Sequence, residues 1–247
     1  MAEISAKSRD RAAEAGGRGR RPGRFRRIVR RLVKLVLLLL LVPLILLPLY
    51  RFVDPPITTV MLWNRIGGAS IVRQWADIEA ISPNLVRAVL VAEDARFCSH
   101  GGIDLKEVEA VLEDLGEGTS PRGASTITMQ VVKNLFLWPE RSYLRKGLEV
   151  PLAFYADLVL PKKRIMEIYL NIVEWDRGVY GAEAAARHYF NVSAADLGPG
   201  ASAQLAVTLP APASRNPARP DAQMRRLAAI VARRADQSGA YVTCVLG

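Results

Sequence analysis

The run from Ser125 to Phe190, STITMQVVKNLFLWPERSYLRKGLEVPLAFYADLVLPKKRIMEIYLNIVEWDRGVYGAEAAARHYF, decides the fold. Four helical patterns follow one another in it: TMQVVKNLFLW, ERSYLRKGLEVPLAFYADLVL, KKRIMEIYLNIVEW and AEAAARHYF. On its N-terminal side Ser82 and Pro83 make a cap and first-turn pair, and Leu85, Ala88, Val89 and Ala92 recur at helical spacing, which predicts a helix from Pro83 to about Ala95. On its C-terminal side, Asp221 to Gln237 puts Met224, Leu227, Ala228 and Val231 on one face and Arg225, Arg226, Arg233 and Arg234 outside it, an amphipathic helix. Glycines at 101, 102, 116, 118 and 123 with Pro121 mark a loop region around one helix-like stretch, Leu105 to Leu115. Strand signals are sparse and there are no internal repeats, so the fold class is mainly α.

What precedes residue 80 is of another kind. Residues 1–34 carry 12 Lys or Arg against 3 acidic residues, a net +9, whereas residues 35–247 carry 22 against 21, a net +1. The overall +10 is therefore the charge of an arm, and a nearly neutral domain follows, which argues against nucleic acid as a partner. Directly behind the arm, Leu35 to Tyr50 is uncharged. It lies at the short end of the roughly 17 to 25 residues that span a bilayer, with Leu32 and Val33 extending it and Lys34 and Arg51 able to snorkel. We expect a transmembrane helix over 35–53. An uncleaved anchor is favoured over a signal peptide because LYRFVDPP, residues 49–56, offers no small-residue cleavage site. The arginines before the span predict a cytoplasmic N-terminus, with everything after Arg51 on the outer side of the membrane. DPPITTVMLWNRI, residues 54–66, reads as an extended linker because Pro55 and Pro56 oppose helix. The domain expectation is a basic arm (1–34), a span (35–53), a linker and domain start (54–80), and the main domain with its C-terminal helix (81–247).

Three segments hold the candidate chemistry. EDARFCSHGG, residues 93–102, sets two adjacent carboxylates at the end of a helix, where the helix dipole disfavours them by about 0.3–1 kcal/mol. RGASTITMQ with VVKN behind it offers hydroxyls at Ser125, Thr126 and Thr128, an amide at Gln130 and a cation at Lys133, groups able to hold a sugar or phosphate. RSYLRKGLE stacks Arg141, Arg145 and Glu149 on one helical face, with Lys146 three residues before Glu149. Cys98 and Cys244 lie far apart in the chain and are expected to stay free. Neither they nor the two histidines, His100 and His188, have zinc spacing.

In this order and spacing the segments resemble the glycosyltransferase family 51 domain, in the form of the monofunctional biosynthetic peptidoglycan transglycosylases of Gram-negative bacteria. The resemblance covers about residues 60–215, through EDARFCSHGG, RGASTITMQVVKNLFLW, RSYLRKGLE, KKRIMEIYLNIVEW, GVYGAEAAARHYF and LAVTLPAPASRNP. It implies a lysozyme-like helical head beside a smaller hydrophobic lobe that dips into the membrane. It carries over Glu93 as catalytic base and Glu149 as the second essential glutamate. Asp94, Phe97 and His100 complete the first motif, Ser125, Thr126, Gln130, Lys133 and Asn134 fall on the second, and Arg141, Arg145 and Lys146 on the third. Two positions depart from the pattern: Met129 stands where a glutamine is usual, and Ala201 where a glutamate is usual.

The implied reaction is polymerisation of lipid II into linear β-1,4 glycan strands, with release of undecaprenyl diphosphate. A carboxylate must take the proton of the attacking 4-hydroxyl, a contribution of about 10²- to 10⁴-fold. The diphosphate leaves as a stabilised anion and needs cations, unlike the alkoxide expelled when a hydrolase or lytic transglycosylase cuts a sugar–sugar bond. Glu149 either orients the cations or holds a divalent ion, Mg or Mn, across the phosphates, and the sequence leaves both open. A non-catalytic membrane-tethered scaffold would account for the anchor but not for two glutamates with their cations. No penicillin-binding module follows the matched region, so cross-linking is expected from a transpeptidase partner within the cell-wall synthesis machinery.

Overall fold

The computed structural model describes residues 24–109, 125–140 and 142–247. The chain divides into two units, Met1–Val42 and Pro43–Gly247. Helix α1, Arg24–Leu49, begins in the first. It starts inside the basic arm and ends before residues 50–53, which form a turn. Its segment Phe25–Leu49 is long and apolar enough to cross a membrane, about 37 Å at 1.5 Å per residue.

The second unit is mainly α, as expected. Its first elements are the last turns of α1, where Leu47 is fully buried and the Leu44 carbonyl accepts from the Tyr155 hydroxyl (2.9 Å). The linker reading of 54–66 is only half right. Pro55 and Pro56 do keep the chain extended, but Thr58 then caps a helix, α2 (Thr59–Ile66), by accepting from the Met61 amide at 3.1 Å. Val60 and Met61 face inward, and the Thr59 hydroxyl reaches the Asn134 carbonyl at 3.1 Å.

Helix α3 (Pro83–Glu93) follows, capped by Ser82 and burying Leu85, Val86, Ala88, Val89 and Leu90. Residues 105–109 are helical; the rest of the expected 105–115 helix and the 116–123 loop lie outside the described residues. Then come α4 (Ile127–Phe136), α5 (Tyr143–Val159) and α6 (Lys162–Ile172). Helix α6 is the centre of the core: all seven residues from Ile165 to Ile172 other than Glu167 are buried. Such a helix is apolar on more than one face because neighbours surround it. Helices α7 (Ala182–Phe190), α8 (Pro199–Thr208), α9 (Ala222–Asp236) and the short α10 (Thr243–Leu246) complete the chain. Helices α3, α8 and α9 pack against one another, α4 against α5 and α6, and α10 against α6. A small sheet interrupts the helices, with strands β1 (Val72–Arg73), β2 (Glu174–Asp176) and β3 (Val179–Tyr180) in the order β1-β3-β2. Val72 pairs with Val179 in parallel, and β2 returns antiparallel to β3 through an irregular register.

One expectation is overturned. Cys98 and Cys244 are joined in a disulfide. Their separation of 146 positions says nothing about distance in space, because the chain end comes back to pack on α6 beside the turn that carries Cys98.

Candidate active site

Glu93 is the last residue of α3. Its Oε2 accepts from the Gln130 side-chain nitrogen at 2.8 Å, and the Gln130 oxygen accepts from the Tyr169 hydroxyl at 3.1 Å. Three helices, α3, α4 and α6, thus meet at one carboxylate. Burial pushes the Glu93 carboxyl above its ordinary range, against the pull of the Gln130 hydrogen bond and of the charges on Lys133 and Arg215. Asp94 adds a smaller push in the same direction. Tyr169 is itself fully buried and its phenol is raised well above the usual range, by burial and then by Glu93 and Asp94, so it remains a donor. The result is a carboxylate whose proton affinity is increased while its position is fixed, the combination required of a general base.

The rest of the first motif holds this geometry. The Asp94 carboxylate accepts from His100 Nε2 (2.9 Å) and from the Ile127 amide at the start of α4 (3.0 Å). Phe97 is 1% exposed, with the His100 ring edge-on at 6.2 Å and the Lys162 ammonium 4.5 Å from its centroid. Lys162 also donates to the His100 carbonyl at 2.7 Å. Thr126 donates to the Gly102 carbonyl at 2.6 Å and caps α4 by accepting from the Met129 amide. Gly102 has φ +81°, and a Cβ there would overlap the Ala153 carbonyl, so only glycine lets this loop lie on α5. Asn134 is buried, and its carbonyl is taken by Thr59.

The second glutamate sits among cations. Glu149 is 2% exposed; one carboxylate oxygen is paired with Arg145 and the other with the Lys146 ammonium at 3.1 Å. Arg145 is fixed further by donating to the Glu140 carbonyl (2.9 Å), and Lys146 donates to the Ser125 hydroxyl (2.5 Å). Lys133 belongs to both halves: burial and then the neighbouring Arg145 lower its ammonium pKa, while Glu149 and Glu93 raise it. Lys133 is thereby electrostatically coupled to Glu93 on one side and to the Arg145–Glu149–Lys146 group on the other. Arg141 lies outside the described residues.

A cavity of about 300 Å³ opens beside Glu93, Asp94, Ser125 and Thr126. The structure therefore brings together Glu93, Gln130, Lys133, Arg145, Lys146, Glu149 and Ser125. It places Phe97 in the core, and gives the Asp94 and His100 side chains to each other. Sequence reasoning missed Tyr169, Lys162 and Arg215, although each lies in a quoted segment or next to one. Tyr169 reads as another apolar position of α6, and its contact with Gln130 spans 39 positions. Arg215, anchored on the Val207 carbonyl, acts on Glu93 through its charge from far along the chain.

A helical domain thus holds one carboxylate of raised proton affinity, Glu93, and a second, Glu149, paired with cations, an arrangement able to serve an enzyme of group transfer. The family model described as Transglycosylase matches residues 61–236, and the chain belongs to that family. It is similar to the protein named biosynthetic peptidoglycan transglycosylase of Brucella suis biovar 1 (strain 1330), 62% identical over 190 residues, 77% of this chain and 85% of the relative. It is also similar to proteins of the same name in Rhizobium meliloti (strain 1021), 50% identical over 92% of this chain and 95% of the relative, and in Agrobacterium fabrum (strain C58), 48% identical over 90% and 99%.

Proposed function

We propose that the protein polymerises lipid II at the outer face of the inner membrane, making β-1,4-linked glycan and releasing undecaprenyl diphosphate. The observation that carries this reading is the buried Glu149 accepting from both Arg145 and Lys146 in the domain that holds Glu93 through Gln130, with Lys133 responding to the charge of both carboxylates. Glu93 takes the proton of the acceptor 4-hydroxyl as it attacks the donor anomeric carbon. The bond to the diphosphate breaks on the opposite face, with inversion and without a covalent enzyme intermediate. Lys133, Arg145 and Lys146 neutralise the departing diphosphate, and Glu149 orients them. Both oxygens of Glu149 already accept from cations. This donor set fits the orienting role for Glu149 better than ligation of a divalent ion.

Membrane features support a lipid-linked substrate. Besides the apolar helix α1, helix α5 leaves Leu144, Val150, Phe154 and Leu158 exposed, a stripe at helical spacing that suits a hydrophobic lobe lying in the bilayer interface. The relatives' name supports the cell-wall setting, in which a separate transpeptidase would cross-link the strands.

The test is polymerisation by the purified full chain on lipid II, comparing wild type with Glu93→Gln. Wild type should yield long strands and free undecaprenyl diphosphate, and Glu93→Gln should lose at least about 10²-fold in turnover while retaining substrate binding. Soluble sugar from finished wall, with none from lipid II, would point to a hydrolase; more than a tenth of wild-type turnover in Glu93→Gln would remove Glu93 as the base.

A further inference from the structure

The disulfide joins two parts of the protein with different histories in the sequence. Cys98 lies in the 3₁₀ turn Phe97–Ser99, five residues after Glu93 and inside the region of the family match. Cys244 lies in α10, beyond residue 236 where that match stops. The segment it fixes is short: a 3₁₀ turn, Gly239–Tyr241, followed by the four residues of α10. Here Val242 and Val245 are buried and α10 packs on α6, the helix that supplies Tyr169 and Lys162 to the site. The bond thus ties α10, packed on α6, to the turn that follows Glu93. In the turn itself, Asp94 bridges His100 and the Ile127 amide; α4 carries Gln130; and Gln130 holds Glu93.

We infer that the Cys98–Cys244 disulfide is a positioning clamp for the Glu93 turn, and that it makes catalysis conditional on an oxidised state of the protein. Opening it takes two electrons and two protons from a dithiol reductant, which becomes a disulfide; closing it returns them to a disulfide-bearing oxidoreductase. Cys98 and Cys244 are both half-buried residues, and exchange proceeds by attack of a reductant thiolate on one of their sulfurs. With the bond open, α10 loses its covalent tie to the turn after Glu93, and the carboxylate held through Asp94 and Gln130 drifts. A misplacement of the order of 1 Å is enough to cost about 10²-fold in rate.

The inference rests on the proposed reaction for its activity readout, so the experiment has a second readout that does not. The full chain is prepared from membranes in detergent without reductant. Thiols are counted after denaturation, and amide hydrogen exchange over residues 93–103 is followed with and without a dithiol reductant, in wild type, Cys98→Ser/Cys244→Ser and Cys244→Ser. The expected result is no free thiol in untreated wild type and two after reduction, with faster exchange at 93–103 in the reduced protein and in both variants. Turnover on lipid II should fall at least about 10-fold on reduction with little change in KM, to a level matching the double variant, which should not respond to reductant. Two free thiols in the untreated protein would overturn the inference, as would equal turnover in both redox states well below either melting temperature. A fall in turnover that follows only the unfolded fraction, with 93–103 unchanged in the folded protein, would also overturn it, since the bond would then act on global stability alone. If oxidised wild type does not polymerise lipid II, the proposed function fails, while thiol count and exchange still decide the clamp.

Discussion

Lys133 is the residue on which the reading turns. Burial and the adjacent guanidinium of Arg145 lower its pKa, and Glu149 with Glu93 partly restores it. A cation whose folded pKa lies below its unfolded value costs stability when charged, so at neutral pH the folded protein gives up free energy to keep this ammonium in place. Lys133→Met keeps most of the volume and removes that cost. Its melting temperature at neutral pH should stay level or rise, while turnover should fall about 10²- to 10³-fold, as when a preorganised donor to a developing anion is removed. The pH dependence supplies a second check. Glu93 has a raised pKa and must be ionised to act, so the rate rises with pH through that value; Lys133 lowers it, and its loss should move the acid limb to higher pH. The same sign rule applies to the base itself: a carboxyl with a raised folded pKa stabilises the fold at low pH and loses that contribution as pH rises through its folded value. Turnover of Lys133→Met within a few-fold of wild type would show a structural cation.

At the level of elements, the helices were legible because each announces itself by local chemistry. Ser82-Pro83 starts α3, the 3.6-residue apolar period marks α4 to α7, and the Arg-rich face outlines α9. Helix α2 was not legible: Pro55 and Pro56 argue for extended chain, and the cap at Thr58 comes just after them. The small sheet was hidden because its strands have two or three residues and are held by tertiary packing. Within the site, the pairs closest in sequence, Arg145 and Lys146 with Glu149, could be anticipated from helical spacing. The Glu93–Gln130–Tyr169 chain could not, since no local pattern joins three separate helices. The glycine pair that ends the first motif makes a further prediction. Gly102 combines φ +81° with a position where a Cβ would overlap the Ala153 carbonyl, and its own carbonyl accepts from the α4 cap, Thr126. Gly102→Ala should cost about 1–3 kcal/mol in thermal unfolding, whereas Gly101→Ala, whose Cβ would meet only Asp157 Oδ2 at 3.9 Å, should cost well under 1 kcal/mol. Equal melting of the two variants would mean that the loop simply moves off α5.

For the whole molecule, the proposed orientation, with the second unit outside the cytoplasm, has two independent features in its support. One is charge: the arginines before the apolar segment of α1 favour retention of the N-terminus in the cytoplasm. The other is chemistry: the second unit contains a disulfide, a bond that persists outside the cytosol and is rare within it. A reporter that is active only on the outer side, fused after Gly247, should therefore be active in wild type. Deleting Arg24 to Lys34 should weaken or scramble the signal. Thiol state should follow the same partition: wherever the reporter faces outward, Cys98 and Cys244 should resist alkylation until reductant is added, and in any inverted fraction they should react at once. A cytoplasmic C-terminus with both thiols free would remove the polymerase reading and the clamp together, because the domain would face neither the outer-leaflet lipid nor an oxidising compartment. An outward C-terminus with free thiols would spare the polymerase and sink only the clamp, which is why orientation and thiol state are best measured on the same cells.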